Sequence, residues 1–255
     1  MLSIIVRPMS HEFVSALSGQ QLAHFNTRGY LSIAAITTPE EVQQLRGLYD
    51  EIIADERAVK VRYEGTVESG GNGIIDQIFA PEFRWPQLLE TTYLANARRL
   101  VSALLGVDAG QIVYGGLLLI FKPAGAGRDV PWHQDEVYWE FPTKRCHSAS
   151  VWMPLDDVTV DSGCMQFLPG SHSRDVLRYR QPPGTEPLVL DEPVDLSGAV
   201  ACPLAAGGAT FHHCRTLHYT APNTSPRPRR ALTTIFHGPR SERMPPLVRP
   251  WRGEM

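Results

Sequence analysis

Between Pro131 and Trp139 the chain reads PWHQDEVYW, which places His133 and Asp135 two residues apart. In extended backbone, residues i and i+2 leave the same face, so one metal ion could take both side chains. Alone the pair carries little weight, because nine His and 27 Asp+Glu in 255 residues give about one His-x-acid pair by chance. A second segment, GGATFHHCRTLHYTAPN, supplies His212, His213 and His218. Two imidazoles and one carboxylate fill one face of an octahedron around Fe(II). Three positions stay open, two for a bidentate oxo-acid and one for O2. Of the three competing histidines, His218 is preferred because Arg229 follows it by eleven residues. A β-turn through Pro222-Asn223 would bring the strand carrying Arg229 back alongside. A guanidinium fork grips a carboxylate through two parallel hydrogen bonds, which a lysine cannot do. Arg229, Ala231, Thr233 and Ile235 share one face of that strand, and Arg230 and Arg227 are expected to be solvated.

These residues need rigid carriers. From residue 111 onward the chain offers short β-type runs between Gly/Pro turns, namely IVYGGLLLIFK, ASVWMPL, CMQFL, GAVACPL, GATFHHC and RALTTIFH. Trp152, Met153, Phe167 and Leu168 read as core, and His172 as a local hydrogen-bonding residue. Residues 1–110 read as mostly helical. A short amphipathic helix is expected from Leu17 to Gly29, stopped by the glycine and followed by the strand-like YLSIAAI. In TTPEEVQQLRGLYDEIIADE, Thr38 is the N-cap, Pro39 the first helical residue and Glu41 the third. Val42, Leu45, Leu48 and Ile52 form the apolar face. Residues 61–84 read as a flexible Gly-rich segment, about Gln87 to Leu105 as a further helix, and 239–255 as an extended tail. The expected organisation is a single domain over 1–255: mainly β with flanking helices, a jelly-roll core over 111–240 and N-terminal helices packed outside.

Composition narrows the function. A net charge of −3 leaves no basic footprint for nucleic acid. No run approaches membrane-spanning length, and MLSIIVRPMSHEF lacks the basic start and cleavage site of a secretion signal. The expectation is a cytoplasmic protein without membrane or nucleic-acid partners. Cys146, Cys164, Cys202 and Cys214 have neither CxxC spacing nor disulfide density, so reduced, mostly buried thiols are expected.

Several stretches together resemble the phytanoyl-CoA dioxygenase-like (PhyH) family of Fe(II)/2-oxoglutarate oxygenases. They are LAHFNTRGYLSI, TTPEEVQQLR, IFKP, WHQDEVYW, VWMPLDDVTVDSGCMQFLPGSHS and HYTAPNTSPRPRRALT. The resemblance implies a double-stranded β-helix, a cupin-like jelly roll, with helices outside. It implies iron on His133, Asp135 and His218, and 2-oxoglutarate on Arg229 with help from the Thr220 hydroxyl. Trp139 matches a position that lines the substrate pocket. Some relatives place a polar oxo-acid contact where this chain has Ile120, leaving Gln134 or Lys122 as substitutes. Relatives that halogenate replace the ligand carboxylate with a small residue, so the intact Asp135 favours oxygenation.

The expected cofactors are therefore Fe(II), 2-oxoglutarate and O2. The expected reaction is hydroxylation of an unactivated C–H of a small metabolite or natural-product intermediate in secondary metabolism, with release of succinate and CO2. Desaturation, epoxidation or ring formation would use the same cofactors, and a non-catalytic jelly-roll binding protein is the reading outside enzymes. For substrate contacts, Tyr138 and Trp139 directly follow the metal motif, and Gln77 sits in a segment that could fold over the mouth.

Overall fold

The computed structural model describes residues 13–58, 60–65, 73–139, 145–182 and 187–241. Three α-helices lie near the start: α1 (Gly19–Arg28), α2 (Pro39–Ala54) and α3 (Thr92–Leu105). The strands in chain order are β1 (Tyr30–Ile33), β2 (Lys60–Gly65), β3 (Gly73–Phe79), β4 (Val113–Lys122), β5 (Val130–His133), β6 (Arg145–Pro154), β7 (Met165–Phe167), β8 (Tyr179–Arg180), β9 (Val189–Leu190), β10 (Val200–Cys202), β11 (Ala209–His213), β12 (His218–Thr220) and β13 (Arg229–Ser241). A seven-stranded sheet runs β1-β11-β6-β13-β4-β3-β2 and a four-stranded sheet runs β10-β7-β12-β5, with β8 and β9 as a separate ribbon. The two sheets form the jelly roll, with the helices on the outside.

Period-two alternation sorts the large sheet into two faces. Outward residues Val151 and Met153 of β6, Phe211 of β11, and Leu232 and Phe236 of β13 pack with Val42, Leu45, Tyr49 and Ile52 of α2 and with Leu100 and Val101 of α3. Fully burying one such side chain contributes about 1.5–3 kcal/mol, so this layer fixes the helices to the sheet. Inward residues Trp152 and Ala231 meet Met165 and Phe167 of the small sheet in a second, smaller core.

The helices form much as the sequence indicates. Ser18 and Gln21 make a reciprocal capping box on α1, which ends on Gly29 at φ 80°. The Gly29 carbonyl accepts from His213 N and from the Thr216 hydroxyl. A Cβ there would lie 2.4 Å from the His172 ring. Only glycine allows α1 to dock on the β11–β12 loop that precedes His218. Thr38 caps α2 by accepting from Glu41 N, and Tyr49 joins the expected apolar face while Leu48 is only half-buried.

Several expectations change. The segment 61–84, expected to be flexible, holds the antiparallel pair β2–β3 at one edge of the large sheet, where alternation across a half-buried edge is too weak to read. Residues 66–72 lie outside the described set. The helix expected from Gln87 begins at Thr92, because extended Thr91 caps it and a 3-10 turn (Pro86–Glu90) precedes it. The described residues before 110 thus contribute three strands as well as three helices. The expected tail is strand up to Ser241, and 242–255 lie outside the described residues. Cys164, Cys202 and Cys214 are buried thiols that form no disulfide among the described residues. Among the described residues no helix is long and apolar enough to cross a membrane.

Glu41 does more than follow a cap. Its carboxylate accepts from the backbone N–H groups of Thr92 at 2.6 Å and Tyr93 at 2.8 Å, and from the Thr37 hydroxyl. It therefore caps α3 from α2, opposite the positive end of the α3 dipole. Glu41→Ala should cost about 1–2 kcal/mol, measured as a lowered urea midpoint, with metal affinity unchanged. An unchanged midpoint would show that water replaces the carboxylate at no cost.

Candidate active site

The site lies between the two sheets. His133 ends β5 and His218 begins β12, and the two are direct cross-strand partners. Their ring centroids are 4.1 Å apart. Each imidazole is fixed through Nδ1, His133 to the Pro131 carbonyl at 2.7 Å and His218 to the Thr216 carbonyl at 2.9 Å. A carbonyl only accepts, so Nδ1 carries the hydrogen and the Nε2 lone pairs face inward. Burial pushes both histidines below the usual imidazole value, and for His218 the neighbouring His133 and His212 add to the effect. Both are neutral, the form that binds a metal.

Asp135 opens a 3-10 turn (Asp135–Tyr138) just past the end of β5. Gln134 between it and His133 is extended, with φ −116° and ψ 130°. The expected same-face projection therefore survives although strand pairing has ended. Asp135 Oδ1 lies 3.7 Å from His133 Nε2 and 3.4 Å from His218 Nε2, and one atom from each of the three residues lies within 4.8 Å of the others. Burial works to raise the Asp135 pKa, and the hydrogen bond from His212 Nε2 to Oδ2 opposes it, so the carboxyl is held below the usual range.

Arg229 is the first residue of β13, paired with Lys122 of β4. It is 1% exposed, and its Nε and both terminal nitrogens have no hydrogen-bond partner among the described residues. Its guanidinium carbon sits 5.4 Å over the Trp152 ring. Burial lowers its pKa to about 10, so it remains a cation at neutral pH. A buried, unpaired charge is among the costliest features a fold can carry. An anion is the group that would relieve it.

A cavity of about 100 Å³ is lined by His133, Asp135, His218, Thr220 and Arg229. A larger one of about 380 Å³ shares His133, Asp135 and Gln77 with it and continues past Tyr138 and Trp139. The smaller cavity thus joins the triad to the guanidinium, and the larger opens from the triad outward. The donor set of two imidazoles and one carboxylate fits Fe(II), and the three partnerless guanidinium nitrogens fit the remote carboxylate of an oxo-acid.

Two residues offered for the oxo-acid are engaged by other protein groups. The Gln134 amide donates to the Arg215 carbonyl at 2.8 Å and accepts from Leu177 N at 2.8 Å and the Tyr179 hydroxyl at 3.3 Å. It points away from the cavity because its neighbours in extended backbone point in. The Lys122 ammonium donates to Thr220 Oγ1 at 2.9 Å, the Ala221 carbonyl at 2.6 Å and the Thr220 carbonyl at 3.3 Å. Its donors are consumed, and it acts on the cavity only by leaving the Thr220 hydroxyl free to donate. The β-turn expected to return Arg229 beside His218 is also corrected. β12 belongs to the small sheet and β13 to the large one, so the intervening segment crosses between sheets. The Asn223 amide pins it to the carbonyls of Lys122, Pro123 and Arg227. Arg230, expected to be solvated, pairs with Asp156 at 2.7 Å and Asp50 at 2.8 Å, whereas Arg227 is exposed.

Ser150 and Trp152 are the site residues that sequence reasoning missed: Ser150 contacts Asp135, and Trp152, read as plain core, also lines the smaller cavity. His212, one of the competing histidines, contacts Asp135 as well. The available signal was alternation, which puts Ser150, Trp152, Thr210 and His212 on the same inward face as Arg229. His213 faces the other way and is structural, with its Nε2 2.9 Å from His147 Nδ1 and its Nδ1 accepting from Arg215 N.

Residues 25–231 match the phytanoyl-CoA dioxygenase (PhyH) family, and the chain belongs to it. It is 26% identical to the phytanoyl-CoA dioxygenase domain-containing protein 1 homolog of Dictyostelium discoideum, covering 86% of this chain and 91% of that protein. It is also 26% identical to the ectoine dioxygenase of Bordetella bronchiseptica, over 92% and 80% of the two chains. Among solved structures, EvdO2 from Micromonospora carbonacea var. aurantiaca, complexed with 2-oxoglutarate, is 33% identical. Its TM-score is 0.78, with 94% of this chain and 98% of that one covered.

The histidine shifts have a consequence for stability. Burial, then the Arg215 charge, holds His213 well below the usual imidazole value, and protonating its Nδ1 would break the bond from Arg215 N. The folded chain therefore binds fewer protons than the unfolded one near the unfolded histidine pKa of about 6.5. Its stability is full above that pH and declines as pH falls through it. The urea midpoint of metal-free protein should drop between pH 7.5 and pH 5.5, and a flat or rising midpoint would contradict the assignment.

Proposed function

We propose that this protein is an Fe(II)- and 2-oxoglutarate-dependent oxygenase acting on a small metabolite or natural-product intermediate. The observation that carries the reading is the fully buried, unpartnered guanidinium of Arg229 in the same narrow cavity as the His133, Asp135 and His218 ligand atoms. His133 Nε2, Asp135 Oδ1 and His218 Nε2 hold the metal. Arg229 and the Thr220 hydroxyl bind the far carboxylate of 2-oxoglutarate, and Lys122 keeps that hydroxyl oriented. When bound, the iron, 2-oxoglutarate and O2 supply the oxidising chemistry: the oxo-acid leaves as succinate and CO2, and a substrate C–H is oxidised. Tyr138, Trp139 and Gln77 border the larger cavity and are the proposed substrate contacts. Gln77 is the direct cross-strand partner of Ile120, so its amide supplies polarity beside the position where β4 has none.

Hydroxylation is the proposed outcome, because Asp135 is present and no position is left for a halide ligand. Ring formation or epimerisation is the second reading. It is supported by solved structures of the same fold that are described as an epimerase and a carbocyclase, and it calls for the same residues in the same roles.

Anaerobic addition of Fe(II) and 2-oxoglutarate should produce a visible charge-transfer band, and admitting O2 should yield succinate. Folded, iron-reconstituted protein showing neither would sink the reading. Arg229→Ala should weaken 2-oxoglutarate binding on the order of 100-fold, the loss of two charge-assisted hydrogen bonds, while iron affinity changes little. Arg229→Lys should recover only part of it. Equal loss of both affinities in a folded variant would place Arg229 elsewhere in the mechanism.

A further inference from the structure

The two oxygens of Asp135 face different surroundings. Oδ1 faces the Nε2 atoms of His133 and His218. Oδ2 faces the large sheet, where it accepts from the Ser150 hydroxyl and, at 3.1 Å, from His212 Nε2. Ser150 on β6 and His212 on β11 are direct cross-strand partners, so two adjacent strands deliver their donors to one oxygen. A carboxylate only accepts, so His212 carries its hydrogen on Nε2. Its Nδ1 is buried without a partner among the described residues. The ring is 4.3 Å from that of His218, centroid to centroid, yet the nitrogen turned toward the triad is engaged with Oδ2.

We infer that Ser150 and His212 are positioning residues that clamp Asp135 Oδ2 and so reserve Oδ1 as a one-oxygen metal ligand. A free carboxylate on a metal with open positions can bind through both oxygens. Doing so here would fill one of the three positions that a bidentate oxo-acid and O2 require. Two hydrogen bonds to Oδ2 oppose that rotation and fix the carboxylate plane before metal arrives. The ligand-orienting partners of a metal site commonly change affinity 10–100-fold when removed. The inference rests on the proposed metal site and goes beyond it, since the three ligands alone do not dictate how many oxygens Asp135 offers.

The test uses Ser150→Ala, His212→Phe and His212→Gln in the full chain, the last because its amide NH2 reaches about as far as the imidazole Nε2. Each is titrated anaerobically with Fe(II) and then with 2-oxoglutarate, following iron affinity and the position of the visible band. Ser150→Ala and His212→Phe should each lose on the order of tenfold in iron affinity and shift the band. His212→Gln should recover most of both, a rescue that a packing role for the ring would not produce. If His212→Phe fails to fold, Ser150→Ala against His212→Gln still decides, since the first removes a donor and the second keeps one. Wild-type affinity and band position in Ser150→Ala would overturn the clamp. So would complete loss of iron binding in both His212 variants, which would make His212 a ligand. A wild type that binds no Fe(II) would overturn the proposed metal site, and this inference with it.

Discussion

The constraint on which the site depends is the burial of the Arg229 charge. Removing a cation from water without a protein acceptor costs several kcal/mol, and here no described acceptor lies within hydrogen-bonding reach of any of the three guanidinium nitrogens. The surroundings reduce the cost without cancelling it. The Trp152 face stacks under the guanidinium, and Tyr49 and Asp156 contribute weakly favourable fields. Lys122, the cross-strand neighbour, is pushed well below the ordinary lysine value, chiefly by burial and then by Arg229 itself. A buried guanidinium that no described group neutralises is tolerable where an anion is meant to enter. The rest of the scaffold can be read as what keeps that cavity dry and rigid, notably the helices that seal the outer face of β6, β11 and β13.

A second constraint is geometric. Antiparallel pairing puts His133 and His218 directly opposite one another, and no strand of the small sheet carries a carboxylate. The third comes from a turn, not a strand, and a turn is less rigid than a ladder of hydrogen bonds. The carboxylate at Asp135 is accordingly held by the large sheet, through side chains on β6 and β11. The iron site spans the gap between two sheets and is only as well ordered as their separation. That explains why the inter-sheet contacts nearby are aromatic and tight, with Phe167 stacked on Tyr30 at 4.7 Å and set 5.4 Å from His212.

The parts of this site that were legible in the sequence are those carried by local spacing. His133 and Asp135 are joined by one extended residue, and alternation along β13 separates Arg229 from Arg230, so both survive folding intact. His218 was legible only through its interval to Arg229. The supposed reason for that interval was wrong: the eleven residues cross between sheets instead of closing a hairpin. Gln134 and Lys122 failed as oxo-acid contacts for related reasons. Gln134 faces away by the same alternation that brings its neighbours inward, and Lys122 faces inward but is consumed by Thr220 and Ala221. Ser150 was hidden, and His212 could not be told from His213, because their role depends on cross-strand register between β6 and β11, about sixty residues apart, which no local pattern encodes. The pair β2–β3 was hidden for the opposite reason, since its Gly-rich connection reads as irregular chain while the pairing that orders it is supplied by β4.

This division between local and non-local residues also separates what the protein shares from what distinguishes it. The triad, Arg229 and the turn from His218 to Asn223 form the inner cavity, where the chemistry is set by the metal and cosubstrate. The outer cavity shares walls from β4, β6 and β13 with the core and adds β3, the Tyr138-Trp139 turn and Pro187, and sequence change in such loop elements disturbs the core least. Solved structures of this fold are described as an epimerase, a carbocyclase and a 2-oxoglutarate complex, so the fold does not fix the product. The two cavities meet along Gln77, Leu118, Val130 and Thr233, which border both, so a substrate entering from the outer cavity passes these side chains before it reaches the triad.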